Sequence, residues 1–162
     1  MKNPHLIAPA LLAVCALAQA QQPTDPVAVF NRYVQAVHAA DMPAVRSLIA
    51  ADVERSDYPA CTAQMDNAAC LAFYIDQTVV KPQAQITVVA VAVRGDEITA
   101  KLEVRSALYQ KAGVERIVGS DVLRISDGKI RAFRFVPDFQ DPATVTFFAG
   151  IGITPRPRHS QP

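Results

Sequence analysis

The chain reads as an α+β domain, with helices first and a curved, mostly antiparallel sheet after them. Three observations predict this. Apolar residues recur at helical spacing from Asp25 to Val80, and from Ala84 onward the period drops to two. The pairs Gly95-Asp96, Ala112-Gly113 and Asp127-Gly128 then cut the second half into four strand-like segments, as hairpin turns do. Adjacent hairpins give an antiparallel meander, and three helices placed ahead of it cover one of its faces.

The first residues stand apart from this domain. "MKNPHLIAPALLAVCALAQA" carries one lysine, an apolar run from Leu6 to Leu17, and Ala18-Gln19-Ala20. That is the pattern of a secretory signal cleaved after Ala20, and the run is too short to span a bilayer. Val14 before Cys15 is not the small residue that lipid attachment prefers. The expected division is 1–20 signal peptide, 21–150 folded domain and 151–162 a proline-rich, disordered tail. The expected location is periplasmic or secreted.

Asp25 and Pro26 form the start of the first helix, as N-cap and first helical residue. Phe30, Tyr33, Val34 and Val37 follow on one stripe, so Tyr33 faces the core. Asp41 caps a second helix over Met42 to Ile49. A short strand is expected at Val53 to Asp57. Asp66 or Asn67 opens a third helix carrying Leu71, Phe73, Tyr74 and Ile75, which Lys81-Pro82 ends.

Composition excludes some functions. Half the residues are hydrophobic (51%), enough for a real core. The chain has 16 Lys and Arg against 15 Asp and Glu, so loss of Lys2 brings the formal charge to zero. No basic run interleaved with aromatics points to nucleic acid. No glycine-rich phosphate loop and no cluster of metal ligands appears, so neither cofactor nor metal is expected. His38 reads as a solvated or capping histidine. Cys61 and Cys70, in "CTAQMDNAAC", read as a disulfide in an exported protein, with two buried thiols as the alternative.

One residue breaks its pattern. Ile117, Gly119, Asp121, Leu123 and Ile125 share a strand face, and Asp121 puts a carboxylate in that apolar row. Either it pairs with Arg134 across the hairpin or it lies in a pocket that needs a buried acid. A direct two-residue turn at Asp127-Gly128 would place Arg134 opposite Asp121. The register expected here has a bulge at Gly128, which brings Phe133 opposite instead.

The segment "RYVQAVHAADMPAVRSLIAADVERSDYP" resembles the first third of the nuclear transport factor 2-like superfamily, and within it the ketosteroid isomerases and SnoaL-like polyketide cyclases. "DVLRISDGKI" resembles the hairpin on which the isomerases carry a second acid. The resemblance runs from Asp25 to Phe148 and implies a cone-shaped fold with a ligand pocket. It implies a site in which Tyr33, Asp57 and Asp121 converge. Asp57 would be the proton-accepting base, and Tyr33 and a protonated Asp121 the donors to an enolate oxygen. Arg55, two residues before Asp57 on the same strand face, would depress that base's pKa. Phe30 and Val37 on the first helix, and Phe133 and Phe135 on the last strand, would line the pocket.

The residues taken singly leave plainer roles open. Tyr33 suits a core tyrosine, and Asp57 before Tyr58-Pro59 suits a turn. Three functions stay in view: a proton-transfer isomerase or cyclase on a small apolar carbonyl compound, a non-catalytic carrier of a small apolar ligand, and an interaction domain. A homodimer through the sheet is compatible with each.

Overall fold

The computed structural model describes residues 25–54, 58 and 61–154. The predicted signal segment, Arg55, Asp57 and residues 155–162 lie outside the described residues. The order of elements is α1 (Pro26–His38), α2 (Met42–Leu48), α3 (Asn67–Ile75) continued by a π-helical turn (Asp76–Val80), β1 (Gln85–Arg94), β2 (Glu97–Arg105), α4 (Ala107–Lys111), β3 (Ile117–Ser126), β4 (Lys129–Pro137) and α5 (Pro142–Gly150).

Each early helix starts on an aspartate. The Asp25 carboxylate accepts from Val27 N at 3.0 Å, that of Asp41 from Ala44 N at 2.9 Å, and that of Asp66 from Ala69 N at 2.7 Å. These caps satisfy amides that the helix itself leaves unpaired. α1 buries Val29, Phe30, Tyr33, Ala36 and Val37, the stripe its spacing predicts. Asn67 Nδ2 donates to Val53 O at 3.0 Å, tying the start of α3 to the segment after α2. Cys61 and Cys70 are joined in a disulfide with Cα atoms 5.3 Å apart, so the loop before α3 is clamped to that helix's first turn.

The sheet is the expected antiparallel meander, in the order β1-β2-β3-β4. Ile98, Ala100 and Leu102 of β2, Leu123 and Ile125 of β3, and Ile130 and Phe133 of β4 bury its inner side against the helices. β1 is an edge strand whose Val88, Val89, Val91 and Val93 stay exposed. Its register shifts between Val88 and Ala90. Such bulges bend and twist a strand.

Four features depart from the sequence expectation. Val53 and Glu54 form no strand; the segment instead joins β4 through an Ile49–Ile130 parallel bridge and through Ala50 N to Ile130 O (3.0 Å) and Glu54 N to Arg131 O (2.7 Å). Ala112-Gly113 is no hairpin turn but the end of α4, capped at its start by Ser106. α5 adds a helix after the sheet, held to β3 by Val118 N donating to Thr144 Oγ1 at 2.8 Å.

The fourth departure is the β3–β4 register. Asp127 and Gly128 both have positive φ (51° and 72°), and Ser126 pairs with Lys129, a direct two-residue turn. The extra residue comes later, on β4: Ile125 faces Ile130 while Arg124 faces Ala132, leaving Arg131 as the bulge. Its carbonyl is taken by Glu54 N, and its guanidinium meets Asp52, Asp127 and Ser126. The pairing therefore moves toward the C-terminus. Phe135, not Phe133 or Arg134, stands opposite Asp121.

Candidate functional site

Asp121 keeps its place in the buried row of β3, alternating with half-exposed Ser120 and Val122. It is 4% exposed, and no described residue donates a hydrogen bond to its carboxylate or pairs with it. Arg134 lies opposite Val122 and is exposed, so the ion-pair reading of Asp121 fails. With no compensating charge, burial alone pushes the Asp121 carboxyl up from its ordinary 3.8 to about 7. Near neutral pH this acid is partly protonated and can donate.

Tyr33 of α1 is 1% exposed, with its ring edge-on to Phe133 at 5.9 Å and Phe30 enclosed behind it at 6.4 Å. Burial raises its pKa well above 10, and Asp121, Tyr74 and Tyr58 add to the rise. The Tyr33 hydroxyl is thus fixed as a proton donor within the field of Asp121. Tyr74 of α3 stands 6.4 Å from Phe133 and stacks on Tyr58 at 4.0 Å; burial, then the Asp121 charge, raises its pKa too. Tyr58 in turn donates to Phe133 O at 2.7 Å. Tyr33 and Tyr74 pack against Phe133, and both feel the Asp121 charge; Asp57 lies outside the described residues.

No buried side-chain oxygen or nitrogen among the described residues is both sealed off and unpartnered. The Asp121 carboxyl and the Tyr33 hydroxyl have no hydrogen-bond partner among the described residues, so each keeps a slight contact with solvent. Two depressions lie elsewhere. One of about 390 Å³ involves Val89, Lys101, Glu103 and Val118, and one of about 260 Å³ lies where Val37 and His38 meet Val79 and Gln83. His38 Nε2 there accepts from Ile86 N at 3.3 Å, a capping role for β1. Among the described residues no three His, Cys, Asp or Glu side chains converge as a metal set, and no helix is long and apolar enough to cross a membrane.

Phe135 borders the acid in an unusual way. Its ring lies over Gly119, where an added Cβ would stand 2.3 Å from Phe135 Cζ and 2.7 Å from Val136 O. Phe148 of α5 stacks beside that ring at 6.4 Å. Sequence reasoning missed Tyr74 and Tyr109 as neighbours of Asp121, although Tyr74 was already placed on the third helix.

The family description of the SnoaL-like domain matches residues 30–133, more than half of the chain and the span that carries Tyr33, Asp121 and Phe133. The chain belongs to the SnoaL-like domain family. No curated protein sequence matches this SnoaL-like domain. Solved structures with the NTF2-like fold do. A Δ5-3-ketosteroid isomerase from Mycobacterium sp. matches with TM-score 0.53 at 18% identity, covering 71% of this chain and 95% of that one. RV0760c from Mycobacterium tuberculosis, in complex with estradiol-17beta-hemisuccinate, matches with TM-score 0.54 at 16% identity, covering 71% and 95%. An M. tuberculosis LEH-like epoxide hydrolase matches with TM-score 0.56 at 12% identity, covering 80% and 94%. At these identities the likeness is one of fold.

Proposed function

We propose that this SnoaL-like domain binds a small apolar carbonyl compound at Asp121 and moves a proton on it, as an isomerase or cyclase does. The observation that carries the reading is Asp121 itself: a carboxyl with no ion-pair partner among the described residues, buried on an apolar face, raised to about 7, whose charge reaches the buried Tyr33. A buried acid of this kind destabilises the fold at neutral pH, and such groups gather where chemistry needs them. Fold neighbours that include a ketosteroid isomerase and a ligand-bound protein support the same class.

In this reading Tyr33 and protonated Asp121 hold the carbonyl oxygen. A carboxylate base, assigned to Asp57 on sequence grounds, takes a proton from the carbon beside the carbonyl. The C–H electron pair moves into the carbon–carbon bond and the carbonyl pair onto oxygen, giving an enolate. The base then returns the proton at another carbon. Preorganised donors in a dry site stabilise that oxygen more than water does. The apolar leader and the Cys61–Cys70 disulfide support export, with maturation at Gln21.

The test uses para-nitrophenol, whose ionised form mimics an enolate, and a β,γ-unsaturated ketone as substrate. Asp57→Asn should lower turnover by roughly 100- to 10,000-fold while leaving phenolate binding near wild type. Tyr33→Phe and Asp121→Leu should weaken that binding. Phenolate binding without turnover would leave a ligand carrier in place of an enzyme, and no binding at all would end both readings.

A further inference from the structure

The sheet has two outer edges, and the fold treats them differently. The edge of β4 is covered by the segment that follows α2. Ala50 N donates to Ile130 O at 3.0 Å, Glu54 N to Arg131 O at 2.7 Å, and the Tyr58 hydroxyl to Phe133 O at 2.7 Å. The edge of β1 is met once, where Ile86 N donates to His38 Nε2 at 3.3 Å. Past Ile86 no described residue outside the ladder bonds this strand.

The ladder decides which β1 groups point outward. Arg94 and Glu97 close the Gly95-Asp96 turn as a hydrogen-bonded pair, so Ala92 with Thr99 and Ala90 with Lys101 are bonded pairs as well. Val91 and Val93 alternate with them and turn their N–H and C=O groups away from β2. These two valines are 40% and 46% exposed, and Val89 is 59% exposed. From Ile86 to Val93 the strand carries neither charge nor proline, devices by which edge strands turn other strands away. Its irregularity is the bulge between Val88 and Ala90.

We infer that this edge pairs with the same edge of a second copy, joining two four-stranded sheets into one of eight strands. The inference is independent of the Asp121 reading. An antiparallel strand complements itself about a twofold axis. With the axis at Ala92, Val91 of one copy faces Val93 of the other, and their outward N–H and C=O groups bond one another. Valine then meets valine on one face of the sheet, and alanine meets alanine at the axis. Arg94 falls opposite Ala90 and stays beside its own Glu97, so no like charges stand directly opposite. The bulge ends the regular pairing at Ala90, which leaves Ala90 to Arg94 of each copy, roughly 17 Å of strand. A contact that short buries well under the about 800 Å² per partner of a stable complex, so the dimer is weak and forms at high concentration.

The experiment follows the full mature chain by NMR diffusion and amide shifts from about 20 µM to about 2 mM, the span in which so small an interface fills. Wild type should pass from monomer to dimer, with the Val91 and Val93 amides shifting most. Val91→Lys together with Val93→Lys should raise the dissociation constant at least about tenfold, as charges on an edge do, and leave the melting temperature unchanged because both side chains are already exposed. Val136→Lys, on the outer face of β4, should dimerise like wild type. Wild type that stays monomeric at the highest concentration overturns the inference and leaves the edge to a strand of another protein. A dimer that survives the paired lysines, or is lost in Val136→Lys, overturns it in favour of a contact through the sheet face. Should the paired lysines unfold the chain, deuterium exchange on wild type decides. The Val91 and Val93 amides should exchange more slowly at high concentration while Ala90 and Ala92 stay unchanged, and equal rates at both concentrations overturn the pairing.

Discussion

Phe135 lies directly opposite Asp121 in the β3–β4 ladder, and its ring covers Gly119, the residue two before the acid. The three positions work as a unit. Glycine leaves the room that lets an aromatic ring lie against the strand two residues from a buried carboxyl, whose burial raises its pKa.

Gly119→Ala tests the unit. Its new Cβ would meet the Phe135 ring at 2.3 Å and the Val136 carbonyl at 2.7 Å, and the second contact is backbone that cannot swing away. Overpacking of this kind costs about 1–3 kcal/mol. Urea unfolding should show that loss, together with weaker para-nitrophenol binding as Phe135 is displaced. Wild-type stability in this variant would mean that the ring is free to leave.

Asp121 makes stability depend on pH in a direction opposite to most carboxylates. The unfolded chain ionises it near 3.8, and the folded chain holds the proton to about 7. Between those values the folded state binds more protons, so stability falls as pH rises. The full penalty above about pH 7 is of order 4 kcal/mol, at about 1.4 kcal/mol per pKa unit. Asp121→Asn removes it. The variant should be more stable than wild type at neutral pH and equal to it near pH 4. Parallel stability curves for the two proteins would show that Asp121 ionises freely in the fold.

The fold was legible where signals are local. Asp25-Pro26, Asp41 and Asp66 each mark a helix start because a cap needs only its own turn, and the Asp121 row was visible from the period of two alone. Asp141-Pro142 carries the same start signature as Asp25-Pro26 and could have placed α5. The register was not legible in this way. Which residue bulges on β4 is decided by Glu54 and Asp52 reaching across to Arg131, contacts between segments far apart in sequence. Tyr74 and Tyr109 were hidden for a related reason. Their nearness to Asp121 depends on where α3 packs and on Ser106 turning "ALYQK" into a helix, where hairpin punctuation suggested a strand.

The disulfide joins the site to the chain's destination. Cys70 lies one helical turn before Tyr74 on α3, and Cys61 lies three residues after Tyr58, which stacks on that same Tyr74. The bond therefore ties both members of the stack to one helix. Closing a loop this short restricts the unfolded chain by about 2–3 kcal/mol. Paired Cys61→Ser and Cys70→Ser substitutions should lower stability by that amount and loosen Tyr58 from Phe133 O, broadening the tyrosine resonances around Asp121. Export is the condition under which the bond forms and persists. Protein recovered from the outer compartment of its host should have an intact mass beginning at Gln21 and no free thiols when denatured without reductant. A mass that retains residues 1–20, with two titratable thiols, would place the chain in a reducing compartment and leave the Tyr58–Tyr74 stack to hold by packing alone.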